Sequence, residues 1–138
     1  MKKQQTSNYM ALPGIKALYF TPEDLISKGC EYFKISEQDI KSRSRKREIV
    51  RARQILIKII LDKYENISQK KVGLLFTSTE DFIAGKVFDH ATAYHSWKTI
   101  TQSLEIKDKN IIWHYEGFMN VVRTNFSNNN QYYSHKKE

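Results

Sequence analysis

Apolar side chains recur every three to four positions along most of this chain, which is the period of an α-helix with one buried face. A long segment of this kind runs from Glu48 to Tyr64. Its apolar stripe comprises Ile49, Ala52, Leu56, Ile59, Ile60 and Tyr64, while Arg47, Arg51, Gln54 and Lys58 lie on the other side. No segment alternates cleanly between apolar and polar residues as a half-buried strand would. The pattern therefore predicts an all-α fold.

Residues that favour helix N-caps stand before the other periodic segments. Thr21 is followed by a proline and, three residues on, by an acid, which predicts a capped helix start. Ser36 precedes a short helix that we expect to end in a basic segment, and Ser68 precedes a second short helix. Asp89 is placed to cap a helix reaching about residue 104, and a last helix is predicted over 108–126.

The length of 138 residues fits one domain with a buried core. We expect a flexible N-terminal arm over residues 1–14, a folded domain over 15–106, an accessory C-terminal helix over 107–127 and a disordered tail over 128–138. No apolar run approaches the roughly 18 residues of a membrane span, and no apolar stretch follows the N-terminal lysines as in a secretory signal. Cys30 is the only cysteine, which suits a reducing compartment. We expect a cytoplasmic protein with no membrane partner.

The charge is strongly positive and unevenly distributed. The formal net charge is +8 and the pI is about 9.5, values that favour a polyanionic partner. Between Arg43 and Arg53 six basic residues accompany one acid, Glu48. Such a concentrated segment favours phosphate binding, although it can also be a solvated surface.

The two segments that follow Ser68 and Asp89 have the form of a helix-turn-helix, in which the first turn of the second helix reaches base edges in the major groove. Asp89, His90 and Thr92 lie in that turn and can exchange hydrogen bonds with bases, and Ala91 can contact a thymine methyl group. The same residues can also be a simple helix cap.

Three stretches in order resemble the C-terminal DNA-binding domain, domain IV, of the bacterial chromosomal replication initiator DnaA. They are SRSRKREIVRARQ over 42–54, SQKKVGLLF over 68–76 and DHATAYHS over 89–96, and the upstream EYFKISEQDIKSRSR is similar as well. The resemblance covers Thr21 to Leu104, about three-fifths of the chain. It implies a helix-turn-helix bundle of the DnaA C-terminal, Trp-repressor-like type with an extra C-terminal helix. Because no ATPase module is present in the sequence, we expect a stand-alone DnaA-like protein.

The resemblance also implies a role for individual residues. Arg45 corresponds to an arginine inserted into the minor groove, with Arg43 and Arg47 flanking it. Arg53 and Gln54 correspond to residues that contact the DNA backbone. With Lys70 and Ala91 added, the DNA-binding set that we predict is Arg43, Arg45, Arg47, Arg53, Gln54, Lys70, Asp89, His90, Ala91 and Thr92.

The sequence departs from the family pattern at three places. Ala91 stands where a threonine is common, and Gln69 with Lys70 replaces an apolar residue and a proline. The largest departure is the long connection between Phe76 and Asp89. We expect either an extra turn of helix around Glu80–Val87 or a loop that projects toward the DNA.

Other chemistry has little support in the sequence. His90 and His95 lie five residues apart, about 140° around a helix, which does not suit a shared metal ion, so we expect His95 to be packed or capping. The segment Ala84-Gly85-Lys86 lacks the rest of a phosphate loop. A nuclease using Asp89 and His90 lacks further carboxylates in metal-binding positions. We therefore expect no enzyme activity, no cofactor and no metal.

The expected function is sequence-preferring binding of double-stranded DNA, in replication control or transcriptional regulation. The alternative is a protein-interaction module with weak DNA binding. Trp97, Ile100 and Leu104 are expected to pack against the last helix, and Trp113, Tyr115 and Phe118 are either further core or a surface for a protein partner or self-association.

Overall fold

The computed structural model describes residues 21–137, with side chains described for residues 21–124. Seven helices and no strand occupy residues 21–137, which confirms the predicted all-α fold. The arm predicted for residues 1–14 and the first residues of the predicted domain lie outside the described part. The helices are α1 Pro22–Phe33, α2 Glu37–Ile40, α3 Arg47–Lys63, α4 Gln69–Leu75, α5 Thr79–Ile83, α6 His90–Glu105 and α7 Lys109–Lys137.

Short polar side chains begin these helices at the predicted residues. Thr21 Oγ1 accepts a hydrogen bond from the Asp24 amide at 3.1 Å, and the Asp24 carboxylate accepts one from the Thr21 amide at 3.1 Å. This reciprocal pair satisfies two donors that a helix start leaves free. Ser36 and Ser68 cap α2 and α4 in the same way, with distances of 3.0 Å to the amides of Asp39 and Lys71. One boundary differs, because α2 ends at Ile40, before the basic segment begins.

Helix α3 is the centre of the molecule. It packs against α1, α2, α4 and α6, so it is covered on more sides than a surface helix with one apolar stripe. All six residues of the predicted stripe are buried, and Ile55 and Ile57 are buried in addition. The core therefore surrounds α3, and these four helices lie around it.

Lys58 departs from the prediction that it lies on the exposed side of α3. Only 8% of this residue is exposed, and its ammonium group pairs with the Asp62 carboxylate at 2.7 Å. Trp97 of α6 covers it, with the Lys58 Nζ atom 4.9 Å from the centroid of the indole ring and the indole N–H donating to Asp62 at 2.8 Å. Trp97 thus contacts α3, whereas we expected it to pack against the last helix.

Helix α7 closes the core against α1 and α6 through Phe118, Met119 and Val122. Tyr115 is partly buried, whereas 71% of Trp113 is exposed. The helix continues to Lys137, past the expected end at residue 127 and through most of the segment expected to be disordered. No glycine or proline follows Gly117 to end it.

None of the helices within residues 21–137 combines the length and the apolar character that crossing a bilayer requires.

Candidate nucleic-acid interface

The basic loop, residues 41–46, and the N-terminal end of α6 both line one cleft of about 300 Å³. We call it the first cleft. Two elements can contact the same duplex only if they lie on one face of the protein. Their convergence at this cleft is therefore the central geometric feature of the molecule. The residues contributed from the loop and α3 include Arg43, Ser44, Arg45, Arg53 and Gln54, and those contributed from the other side include Val87, Phe88, Asp89, Thr92, His95 and Ser96.

Serines between the cations hold the backbone of the basic loop. The Ser42 hydroxyl donates to the Asp39 carbonyl at 2.7 Å and accepts from the Ser44 amide at 3.1 Å. The Ser44 hydroxyl in turn accepts from the Lys46 amide at 3.2 Å. These local bonds satisfy backbone groups that no helix pairs. The Arg43, Arg45 and Lys46 side chains remain exposed.

Arg53 of α3 supports the basic loop through hydrogen bonds from its buried guanidinium group. Its exposure is 6%, its Nε atom donates to the Ile40 carbonyl at 2.9 Å, and an Nη atom donates to the Ser42 carbonyl at 2.9 Å. Burial lowers the pKa of the guanidinium from its usual value. The resemblance implies a contact between this arginine and the DNA backbone, but two of its donors are bound to protein carbonyls. Arg53 therefore positions the loop, while also lining the first cleft.

Asp89 organises the start of α6. Its Oδ1 atom accepts from the Thr92 amide at 2.8 Å, as predicted for a cap. The pKa of the Asp89 carboxyl is lowered mainly by hydrogen bonds from Thr92. The charge of His90 lowers it to a smaller extent. The carboxylate is thus ionised at neutral pH. His90, Ala91 and Thr92 are all exposed, so the extra connection does not bury the end of the helix.

His95 differs from its expected structural role. It is exposed and lines the first cleft together with Asp89 and Thr92, whereas His90 and Ala91 are exposed beside the cleft without lining it. Residues three positions apart share a helix face, so Thr92 and His95 lie on the same side of α6. That spacing was the signal in the sequence that could have placed His95 at the site.

The connection between α4 and α6 forms an extra helix and then a turn. Ser78 caps α5, which is shorter than the predicted turn around 80–87, and Gly85 adopts a φ of 77°, which favours glycine. The Thr77 hydroxyl donates to the Gly73 carbonyl at 2.8 Å and accepts from the Phe88 amide at 3.0 Å. An Nη atom of Arg43 lies 3.5 Å from the Lys86 carbonyl, so the connection contacts the basic loop.

Besides His90 and Ala91, two further predicted residues lie outside the first cleft. Lys70 is exposed in the first turn of α4. Arg47 is exposed at the start of α3 and lines a neighbouring cleft that also includes Arg45 and Gln54. The structure thus brings Arg43, Arg45, Arg53 and Gln54 together with Asp89 and Thr92, and it leaves the other four predicted residues outside the first cleft.

The arginines of this surface carry no neutralising partner within the described part of the chain. The ion pairs between side chains of residues 21–124 are Lys28–Glu31 and Lys58–Asp62, neither of which involves the basic loop. Residues 21–124 also contain no group of three or more His, Cys, Asp or Glu side chains arranged to hold a metal ion. The surface can therefore attract an anion with uncompensated positive charge.

Comparisons with known proteins identify the family of this chain. The family model described as bacterial dnaA protein helix-turn-helix matches residues 22–100, more than half of the chain. The chromosomal replication initiator protein DnaA of Bacteroides thetaiotaomicron is 36% identical over 86 residues, which is 62% of this chain and 16% of that protein. The DnaA proteins of Bacteroides fragilis and Gloeobacter violaceus are 34% and 33% identical, over 62% and 66% of this chain.

The match covers only a small part of each relative. It spans 16% of the Bacteroides fragilis protein and 18% of the Gloeobacter violaceus protein, and the matched part is the DNA-binding module of DnaA and not its ATPase part. The chain therefore belongs to the helix-turn-helix family of bacterial DnaA, the family of its C-terminal DNA-binding domain.

Proposed function

We propose that this protein binds double-stranded DNA with a sequence preference, using the basic loop and the N-terminal end of α6. The observation that carries the proposal is the first cleft, which is lined both by arginines without an ion-pair partner in residues 21–124 and by Asp89 and Thr92 from the start of α6. A cationic surface alone would support binding to any polyanion. The polar helix end beside it adds groups that can distinguish bases.

Each side of the cleft has a separate task in this proposal. The end of α6 enters the major groove, where Asp89, His90 and Thr92 contact base edges and Ala91 contacts a thymine methyl group. Arg45 enters the adjacent minor groove, whose negative potential is strongest where AT-rich sequence narrows it. Arg43, Arg47, Gln54 and Lys70 contact phosphates along the same duplex, and Arg53 holds the loop in place.

The biological setting that we propose is replication control, with transcriptional regulation as a second use of the same binding. The relatives are named chromosomal replication initiator proteins, and this chain matches about a sixth of their length. What we propose for this chain is the DNA recognition of the matched part of those relatives only. Occupying initiator-like sites is an activity that this part can perform without nucleotide hydrolysis.

Selection of bound sequences from a random duplex library at physiological salt tests the proposal. We expect a recurring sequence, bound more tightly than a shuffled duplex of equal length and composition. Methylation of guanine N7 and of adenine N3, in the major and minor grooves respectively, should interfere at adjacent positions on one face. Equal affinity for all duplexes would contradict sequence preference, and binding to none would contradict the DNA-binding function.

A second function, protein assembly through α7, is favoured by one observation. Trp113 is 71% exposed on a helix whose Phe118 is fully buried, so an aromatic side chain is available to a partner. Light scattering on the wild type and on Trp113→Ala distinguishes this function. A wild-type oligomer that the substitution dissociates, in a protein that shifts no duplex, would favour assembly over DNA binding.

A further inference from the structure

A second cleft, of about 390 Å³, lies next to the first and joins α3 to the start of α7. Arg45 and Gln54 line both clefts, so the two form one continuous surface. The second cleft adds Arg47 and Arg51 from α3 and Asp108 and Asn110 from the start of α7. We infer that it binds one backbone phosphate of the same duplex, beyond the phosphates that the basic loop contacts.

The charges in the second cleft favour a phosphate. Three guanidinium groups, those of Arg45, Arg47 and Arg51, line it together with a single carboxylate, that of Asp108. None of these arginines forms an ion pair within residues 21–124. The Asp108 carboxylate accepts hydrogen bonds from the amides of Asn110 and Ile111 at 3.0 and 3.2 Å, and so it is engaged by the start of α7.

Arg51 is the residue that this inference adds to the interface. Its Nη1 atom lies 3.5 Å from Asn110 Oδ1, at the outer limit of a hydrogen bond, and its buried Nε atom has no partner among the described residues. The Arg51 guanidinium therefore has donor capacity that its one weak hydrogen bond to Asn110 does not use. A phosphate oxygen would give this guanidinium a strong charge-assisted partner.

The second cleft gives the start of α7 a part in the proposed DNA binding. Residues 108–110 lie beyond the part of the chain that the family model matches, yet they approach the arginines next to the basic loop. The inference rests on the proposed function, because the phosphate belongs to the duplex held in the first cleft. It extends the contacted backbone from the basic loop toward the start of α7.

Binding of the selected duplex by Arg51→Gln at several salt concentrations tests the inference. The salt slope should fall by about 0.9, the value for one phosphate contact, so raising salt from 50 to 200 mM should weaken this variant about three- to fourfold less than wild type. Lys28→Gln is the control, because it removes the same charge from α1, where Lys28 pairs with Glu31. It should leave the slope unchanged. Phosphate-ethylation interference should show one blocking position in the wild type that is missing in Arg51→Gln.

Asn110→Asp provides a test that leaves Arg51 in place. A carboxylate at this position would pair with the Arg51 guanidinium and compete with the phosphate, so we expect the same missing ethylation position and a lower slope. If both variants bind with the wild-type slope and ethylation pattern, the second cleft does not bind phosphate and only this inference fails. If the wild type binds no duplex, the proposed function fails and this inference with it.

Discussion

The guanidinium carbon of Arg53 lies 5.8 Å from the centroid of the Phe88 ring. Arg53 also holds the carbonyls of Ile40 and Ser42, whereas Phe88 immediately precedes the cap of α6. One contact thus joins the support of the basic loop to the start of the helix on the other side of the first cleft. This pair therefore contributes to the spacing between the basic loop and the start of α6.

Replacing Arg53 should therefore reduce both stability and DNA binding. Arg53→Gln removes two charge-assisted hydrogen bonds to backbone carbonyls, and we expect the free energy of unfolding to fall by about 2–4 kcal/mol. Urea denaturation followed by circular dichroism measures this loss. The affinity for the selected duplex should fall as well, because the loop loses its support.

Arg53→Lys is the matched control for charge. A lysine keeps the positive charge but cannot span two carbonyls as the planar guanidinium does. We expect it to be nearly as destabilising as Arg53→Gln. If Arg53→Lys has wild-type stability and affinity, positive charge alone is sufficient at this position and the positioning role is wrong.

Gly73 of α4 lies directly against the backbone at the start of α6. A Cβ atom at this position would lie 2.0 Å from the Phe88 carbonyl oxygen, which is backbone and cannot rotate away. Gly73→Ala should lower the free energy of unfolding by about 3 kcal/mol, as overpacking does, and displace the end of α6 from the first cleft. Denaturant unfolding and duplex binding measure the two effects.

Gly85 supplies the control for that substitution. It has open space around its Cβ position but a φ of 77°, so Gly85→Ala should cost only about 1 kcal/mol of backbone strain and leave DNA affinity close to wild type. Equal reductions of affinity in the two alanine variants would show that the connection as a whole, and not the close approach at Gly73, positions α6.

Much of this fold was predictable because its local signals agree with its tertiary structure. The caps at Thr21, Ser36, Ser68 and Asp89 each bond the amide that the sequence pattern indicates. A cap depends on residues three positions apart, so the sequence contains the whole interaction. The apolar stripe of α3 is similarly local, and all its members are buried.

The features that escaped prediction depend on residues distant in sequence. Lys58 is buried because Trp97, on another helix, covers it. His95 lines the first cleft because the basic loop lies next to α6 there, and Arg45 of that loop is 50 residues earlier in the sequence. Arg53 supports the loop through carbonyls of Ile40 and Ser42, which have no side-chain signature. The connection over 77–88 departs from the family pattern, and the resemblance could not indicate its path.

Arg45→Ala tests the contribution of the basic loop to affinity. The Arg45 side chain is exposed and lines both clefts, so its removal should leave the fold intact. We expect weaker binding to AT-rich duplexes and a salt slope lower by about 0.9 for each phosphate that the variant no longer neutralises. Anisotropy titrations at several salt concentrations measure the slope. An unchanged slope and affinity would mean that the loop is not the anchor.

The contribution of the Asp89 cap to the stability of the protein should depend on pH. The folded-state pKa of Asp89 is lowered, chiefly by the Thr92 amide, so its contribution is present above the unfolded pKa of about 3.9 and is lost as pH falls through the lower folded value. Asp89→Asn keeps a capping oxygen without the titration. The difference in Tm between wild type and this variant should be constant above about pH 5 and change below about pH 4. A difference that is constant at all pH values would contradict the assignment.

His90 and His95 separate two ways in which α6 can contact DNA. His90 is exposed in the first turn outside the first cleft, and His95 lines that cleft one turn later. His90→Ala should reduce discrimination between the selected base and its alternatives by about 1–3 kcal/mol while leaving nonspecific binding in place. His95→Ala, on the side of the arginines, should weaken binding to all duplexes by a similar factor and leave the base preference unchanged. Competition titrations with single-base variants of the selected site measure both quantities. A uniform reduction for His90→Ala, with relaxed base preference for His95→Ala, would reverse the two roles and assign the base discrimination to His95.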